Sequence, residues 1–389
     1  MASAKLVWSE RVLFLHHLRM FSALLVCLSH SKEFFVNNVS SEAMQLEKVF
    51  RLFMSLGNPA VLVFFFLSGY LVGGNEIRRL ILRKIQSRKY LLDRLTRLWL
   101  VLIPALLFTM IINFLACSRN NQALYCKASI ELASHPSYPP LMLQGIRNFA
   151  ENIFFLQPFR GEMFGGNGPL WSLSYEFWYY MVFMCAMLAI SSVINRRFEK
   201  GLILFLPISI FGIVIVDSKW FTLGIVWFAG AALSYFLSNL SVEKFFLRLS
   251  SLRRYKLIIL NGFFVIPPIL CVRLFPQSLL SYIFLVLCLS IAIAATQTTA
   301  IREEKTLVQK ITVRGSEFSF SLYLIHFPLM GLLATHLTPL FRLDFGLRSV
   351  SICVFSVILV AGIADIFARL TEDRLNSLRS RLKIFYGLN

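Results

Sequence analysis

Two pairs of residues in this chain have the types and spacings that chemistry needs. Arg19 and His30 stand eleven positions apart in an apolar stretch. Eleven steps of about 100° come within roughly 20° of three full turns, so on a helix the two share a face, about 16 Å apart along the axis. Arg94 and Arg97, in Asp93-Arg94-Leu95-Thr96-Arg97, are spaced i and i+3 and also share a helix face, an arrangement able to hold phosphate bidentately. Three further apolar segments carry isolated polar groups: Phe64–Tyr70 with Ser68 and Gly69, Trp171–Tyr180 with Glu176, and Phe320–Pro328 with Tyr323 and His326. Each has a plainer reading. Arg19 can snorkel to headgroups, and His30 can cap its helix beside Lys32 and Glu33. Ser68-Gly69 can be a close helix contact, Glu176 can complement a helix dipole, and His326, just before Pro328, can simply be hydrogen-bonded.

The elements that must position these groups follow from composition. Of 389 residues, 57% are hydrophobic and 15% charged, with mean hydropathy +0.69, which excludes an ordinary soluble globule. A spanning helix needs roughly 20 apolar residues. Apolar runs predict ten spans, at 13–36, 50–73, 97–117, 171–194, 201–217, 219–239, 257–274, 278–297, 317–337 and 347–368. The first run contains Arg19 and His30 and no small-residue cleavage site follows it, so it is a permanent span. A charge at mid-bilayer costs about 2.5 to 3.5 kcal/mol on insertion scales, which makes an intramembrane Arg or His a functional candidate by default.

The net charge is +19. With the N-terminus in the cytosol, 27 of the 39 Lys and Arg residues fall on inner segments, so the positive-inside rule predicts cytosolic termini and accounts for most of the basicity. No basic tract is interleaved with stacking aromatics, so nucleic acid is not an expected partner. The bilayer is. The fold class expected is an all-α integral membrane protein with about ten transmembrane helices. The outer connection 118–170, broken by Pro136, Pro139, Pro140 and the turn Gly165–Pro169, is expected to form a rim or re-entrant element. Seven cysteines contain no Cys-x-x-Cys pair. Only Cys117 and Cys126 share a hydrophilic loop suited to a disulfide. Walker A, His-Glu-x-x-His, Gly-x-Ser-x-Gly, Gly-x-Gly-x-x-Gly and His-x4-Asp patterns are absent, so nucleotide hydrolysis and zinc proteolysis have no support, and no metal is expected.

In order along the chain, these residues resemble the acyltransferase 3 family of bacterial integral-membrane enzymes. The family's arginine, ten-residue gap and histidine match Arg19 and His30. Its Phe-Phe-x-x-Ser-Gly matches Phe64, Phe65, Ser68 and Gly69, and its Arg-x-x-Arg matches Arg94 and Arg97. Its tryptophan-to-glutamate segment matches Trp171 to Glu176, and its Ser-x-Tyr-x-x-His matches Ser321, Tyr323 and His326. One departure is visible: the acidic residue usual three positions before the first arginine is here His16.

The resemblance implies a multi-pass protein of the bacterial inner membrane, one transmembrane acyltransferase domain over 1–389 without the hydrolase-like extracytoplasmic domain of some relatives. It implies an O-acyltransferase that takes an acyl group, most often acetyl, from cytosolic acyl-CoA, here acetyl-CoA, as donor. The acceptor would be a hydroxyl of an extracytoplasmic glycan or lipid-linked saccharide such as lipopolysaccharide O-antigen. His30 is then expected as general base, with Glu176 or Glu33 orienting or charge-balancing its ring, and Arg19, Arg94 and Arg97 at the CoA phosphates. Ser68, Gly69, Trp171, Tyr323 and His326 would line the site. A small-molecule or lipid acceptor, or a proton-coupled secondary transporter, are the competing readings, and direct transfer and an acyl-histidine intermediate both fit the residues.

Overall fold

The computed structural model describes residues 8–37, 45–119, 145–160, 163–239, 260–276, 278–296, 300–301, 306–338 and 342–386. Apolar side chains dominate nearly every described segment, and the backbone satisfies itself as helices, the solution that lipid demands. The helices are α1 (Glu10–Phe35), α2 (Gln45–Phe53), α3 (Gly57–Ile81), α4 (Ser87–Arg119), α5 (Ile146–Ile153), α6 (Gln157–Arg160), α7 (Leu170–Asn195), α8 (Leu202–Ile215), α9 (Ser218–Asn239), α10 (Ile266–Leu274), α11 (Leu279–Ala295), α12 (Leu307–Glu317), α13 (Ser319–Leu337), α14 (Leu347–Leu370) and α15 (Leu375–Phe385). Among the described residues, a two-residue antiparallel pairing of β1 (Trp8–Ser9) with β2 (Ala300–Ile301) is the exception.

Among the described residues, seven helical stretches are long and apolar enough to cross a membrane. α8, the segment Gly262–Leu274 and α11 are apolar but shorter; they coincide with three of the ten expected spans. Two expected boundaries shift. The span expected at 50–73 breaks after Phe53 and resumes at Gly57, running on to Ile81. At the break Ser55 donates its hydroxyl to the Arg51 carbonyl (2.6 Å) and accepts from Lys32 Nζ (2.8 Å), a side-chain bond that competes with the helix ladder, and Pro59 falls in the first turn of the resumed helix, where its missing N–H costs nothing. The third span starts ten residues before its apolar run, because Ser87–Thr96 continues the helix as a polar extension that carries Arg94.

The chain divides into two compact units. The first holds Met1–Ser22, Asn58–Arg83 and Lys219–Glu317, and the second holds Ala23–Gly57, Lys84–Ser218 and Phe318–Asn389. In the first, α3 and α9 meet at two glycines: a Cβ on Gly69 would lie 1.8 Å from the Trp227 carbonyl oxygen, and one on Gly230 would lie 2.1 Å from that of Phe66. Only the absence of side chains lets the backbones approach this closely. In the second, α13 packs against both α4 and α14, and α7 packs against α8. Every residue from Ser321 to Met330 is buried, so α13 is the core helix of this unit, and its N-terminus is capped by Glu372, which accepts from the Ser321 backbone N–H (3.2 Å) and hydroxyl (2.9 Å).

The Gly165–Pro169 turn is clamped from both sides in this unit. Asn113 of α4 donates to the Gly165 carbonyl (2.6 Å), and Asn167 donates to the Leu324 carbonyl of α13 (2.8 Å). Gly165 and Gly166 take positive φ, which glycine adopts without steric cost. Cys117 is disulfide-bonded, while Cys27, Cys185, Cys271, Cys288 and Cys353 are free. Cys126, the partner expected from sequence, lies outside the described residues.

Candidate functional site

The second unit gathers most of the candidate residues into a line of buried and half-buried polar groups. At one end is His30, 8% exposed on α1. Its Nδ1 lies 3.3 Å from the Glu33 carboxylate, one turn on. A carboxylate accepts, so Nδ1 carries the proton in the neutral ring and Nε2 is the lone-pair nitrogen. Glu33 is one of the two carboxylates expected to serve this imidazole. Glu33 is also within electrostatic reach of Arg342 in the connection between α13 and α14. Burial lowers the Arg342 guanidinium below the ordinary arginine range, and the Glu33 carboxylate opposes that shift.

The His30 ring sits beside that of His326, with centroids 5.2 Å apart and planes tilted by 35°, and the Phe327 ring stands edge-on to it at 5.2 Å. His326 lies one turn into the buried stretch of α13 and is 1% exposed. Its Nδ1 is 3.0 Å from the Leu322 carbonyl oxygen. A carbonyl can only accept, so this ring too bears its proton on Nδ1 and its lone pair on Nε2. Tyr323 follows on the same helix, its ring 5.9 Å from that of His326. The Tyr323 hydroxyl pairs with Ser172 Oγ (2.6 Å) and donates to the Pro169 carbonyl (3.1 Å). The turn and the first coil of α7 are thereby fixed against α13.

Glu176 comes one turn after Ser172. Its carboxylate accepts a short hydrogen bond from Tyr180 and acts electrostatically on Tyr323. Tyr180 leads to the other end of the line. The Arg94 guanidinium lies 5.7 Å from the centroids of both the Tyr90 and Tyr180 rings, a cation–π sandwich, and Arg94 and Arg97 both fall within electrostatic reach of the Tyr180 hydroxyl. The Tyr90 hydroxyl donates to the Tyr180 carbonyl (3.1 Å). Arg94 Nε is buried and finds no hydrogen-bond partner among the described residues. Nearer the start of α4, a cleft of about 1000 Å³ is lined in part by Arg88, Lys89, Arg197 and Lys200.

The sequence pattern of the acyltransferase domain family, acyltransferase 3, matches residues 12–365, nearly the whole chain. The chain belongs to the acyltransferase 3 family. No curated protein and no solved structure matches it. It is therefore a membrane-embedded acyltransferase, and its polar groups can be weighed against acyl transfer, which needs a base for the incoming hydroxyl, a donor for the carbonyl oxygen and a cationic grip on the acyl carrier.

The other expected positions of this acyltransferase have partners of their own. Ser68 and Gly69 belong to the first unit, where Ser68 Oγ accepts from Trp227 Nε1 (3.3 Å) and Gly69 makes the α3–α9 approach. Arg19 is half-buried in the same unit. His16, standing where the family usually has an acid, has its Nδ1 2.9 Å from Ser316 Oγ of α12. Trp171 sits edge-on to Tyr175 at 5.2 Å, and Tyr175 donates to Asp217 (2.6 Å). Two groups went unread in the sequence. Tyr180, four residues after Glu176, was legible from helical spacing. Arg379 was not, because it meets Thr96 across 283 positions.

Proposed function

We propose that this acyltransferase moves an acetyl group from cytosolic acetyl-CoA to a sugar hydroxyl of an extracytoplasmic glycan, such as lipopolysaccharide O-antigen, at the bacterial inner membrane. One observation carries the reading: the line of polar groups in the second unit, half-buried at Arg94, Arg97 and Glu176 and buried at Tyr180, Tyr323, His326 and His30. Guanidiniums suit the phosphates of CoA, and the basic cleft at the foot of α4 suits the rest of its nucleotide. Arg19 is assigned to the same donor on the family pattern alone.

At the other end His30 is the general base. Glu33 holds Nδ1–H, so Nε2 takes the proton of the acceptor hydroxyl as its oxygen bonds to the thioester carbonyl carbon. The tetrahedral intermediate then collapses, the carbon–sulfur bond breaks, and the thiolate recovers the proton from the imidazolium to leave as CoA. Such base catalysis is worth typically 10² to 10⁴ in rate. Tyr323 and His326 line this end, and His326 supplies or exchanges protons beside the reacting oxygen. Trp171 and the Gly165–Pro169 turn border the acceptor's approach as a re-entrant rim.

All of this chemistry falls to one membrane domain. The topology that suits it has ten spans and cytosolic termini, the three short apolar helices crossing where the bilayer thins around them. Purified protein in liposomes tests the reaction class. Release of CoA that depends on added glycan acceptor supports the enzyme, release with a small-molecule or lipid acceptor alone moves the acceptor class, and solute flux without any acyl-CoA favours a transporter.

A further inference from the structure

The short helix α15 lies beyond the segment matched by the family, which ends at residue 365, yet it delivers cations to the donor end of the site. Arg379 donates through Nε to Thr96 Oγ1 (3.1 Å) and makes a short hydrogen bond to the Asp93 carbonyl, with Asp93 Oδ1 3.7 Å away. One turn on, Lys383 Nζ pairs with the same Oδ1 at 3.0 Å. The Arg379 side chain is 17% exposed and that of Asp93 16%. Arg379 is within electrostatic reach of Arg94, Arg97 and Tyr180.

Among the described residues this neighbourhood holds four cations, Arg94, Arg97, Arg379 and Lys383, against two carboxylates, Asp93 and Glu176. It is left with an excess of two positive charges in a half-buried place, where like charges repel strongly and water cannot fully screen them. A structural latch would have matched its charges. Two surplus positives beside a buried Arg94 Nε that lacks a partner among the described residues call for a ligand carrying two negative charges. We infer that α15 completes the donor site, with Arg379 and Lys383 joining Arg94 and Arg97 around a phosphate dianion of the acyl-CoA. Asp93 serves as the hinge that holds both α15 cations in place. The inference rests on the acyl-CoA reading above. An anionic lipid headgroup offers the same phosphate chemistry, and the test separates the two sources.

The probe is CoA, titrated against the full-length protein in nanodiscs of phosphatidylcholine and again with phosphatidylglycerol added, alongside donor kinetics. Arg379→Gln and Lys383→Gln together are expected to weaken CoA binding and raise the donor KM at least tenfold with kcat within about threefold, and Arg379→Lys is expected to restore part of the affinity. A latch without ligand contact would lower thermal stability but leave the KM in place. The inference is overturned if these variants bind CoA within twofold of wild type while Arg94→Ala does not. It is also overturned if phosphatidylglycerol abolishes CoA binding to wild type but not to the double variant, which would assign the cations to lipid. If wild type binds no CoA in either disc, the acyl-CoA reading itself fails and this inference with it, a result distinct from the other two because Arg94→Ala then changes nothing.

Discussion

The imidazoles of His30 and His326 lie 5.2 Å apart between α1 and α13, each with Nδ1 committed to an acceptor, a carboxylate for one and a main-chain carbonyl for the other. Residues 296 positions apart in sequence thus present two lone-pair nitrogens of the same kind in one buried place.

His30→Ala is expected to lower kcat/KM by 10² to 10⁴, and Glu33→Gln, which keeps a polar partner for Nδ1 but removes its charge, by a smaller factor of about 10 to 10². Acceptor-dependent CoA release by protein of verified insertion measures both. Equal losses for the two variants would show that Glu33 does more than orient the ring.

His326→Gln retains a donor for the Leu322 carbonyl but removes the ring beside His30. The expected result is a fall in kcat of at least tenfold with the donor KM unchanged, since an interaction made only in the transition state affects kcat and kcat/KM equally. An unchanged kcat would leave His326 as packing.

Arg94→Ala and Arg97→Ala are expected to raise the apparent donor KM by tenfold or more, with most of the rate recovered at saturating donor. Rate that saturating donor does not recover would place these residues at the reacting centre instead.

Gly69→Ala tests whether the Phe-Phe-x-x-Ser-Gly segment is structural. Its new Cβ would meet the Trp227 main chain, which cannot swing aside, so an overpacking cost of about 1 to 3 kcal/mol is expected. It is read as a lower melting temperature and a lower folded yield. Specific activity per folded molecule is expected to stay within twofold, as it is for Ser68→Ala.

Much of this was legible in the sequence. Apolar runs located the seven membrane-length helices and the three shorter apolar ones among the described residues, because hydrophobic length is the strongest signal a membrane imposes, and the i, i+3 spacing put Glu33 beside His30. Helix α2 and the polar start of α4 were misjudged because both are amphipathic, and hydropathy reads mean apolarity rather than continuity of hydrogen bonding. The pairing of His30 with His326, the clamp of Asn167 on Leu324 and the arrival of Arg379 beside Asp93 were beyond reach. They depend on which helices pack together, and no local periodicity records that. Ser68 and Gly69 show the converse: a motif visible in sequence whose contacts, once placed, are those of a close helix crossing.

The most direct test is chemical. Surface glycan purified from cells carrying the wild-type gene, and from cells carrying His30→Ala at equal membrane abundance, is analysed for ester-linked acetyl by mass and by alkaline release. Acetyl ester present in the first and absent from the second is the expected result. Equal acetylation in both would contradict the role given to His30, and glycan without any ester in the wild type would contradict the acceptor itself.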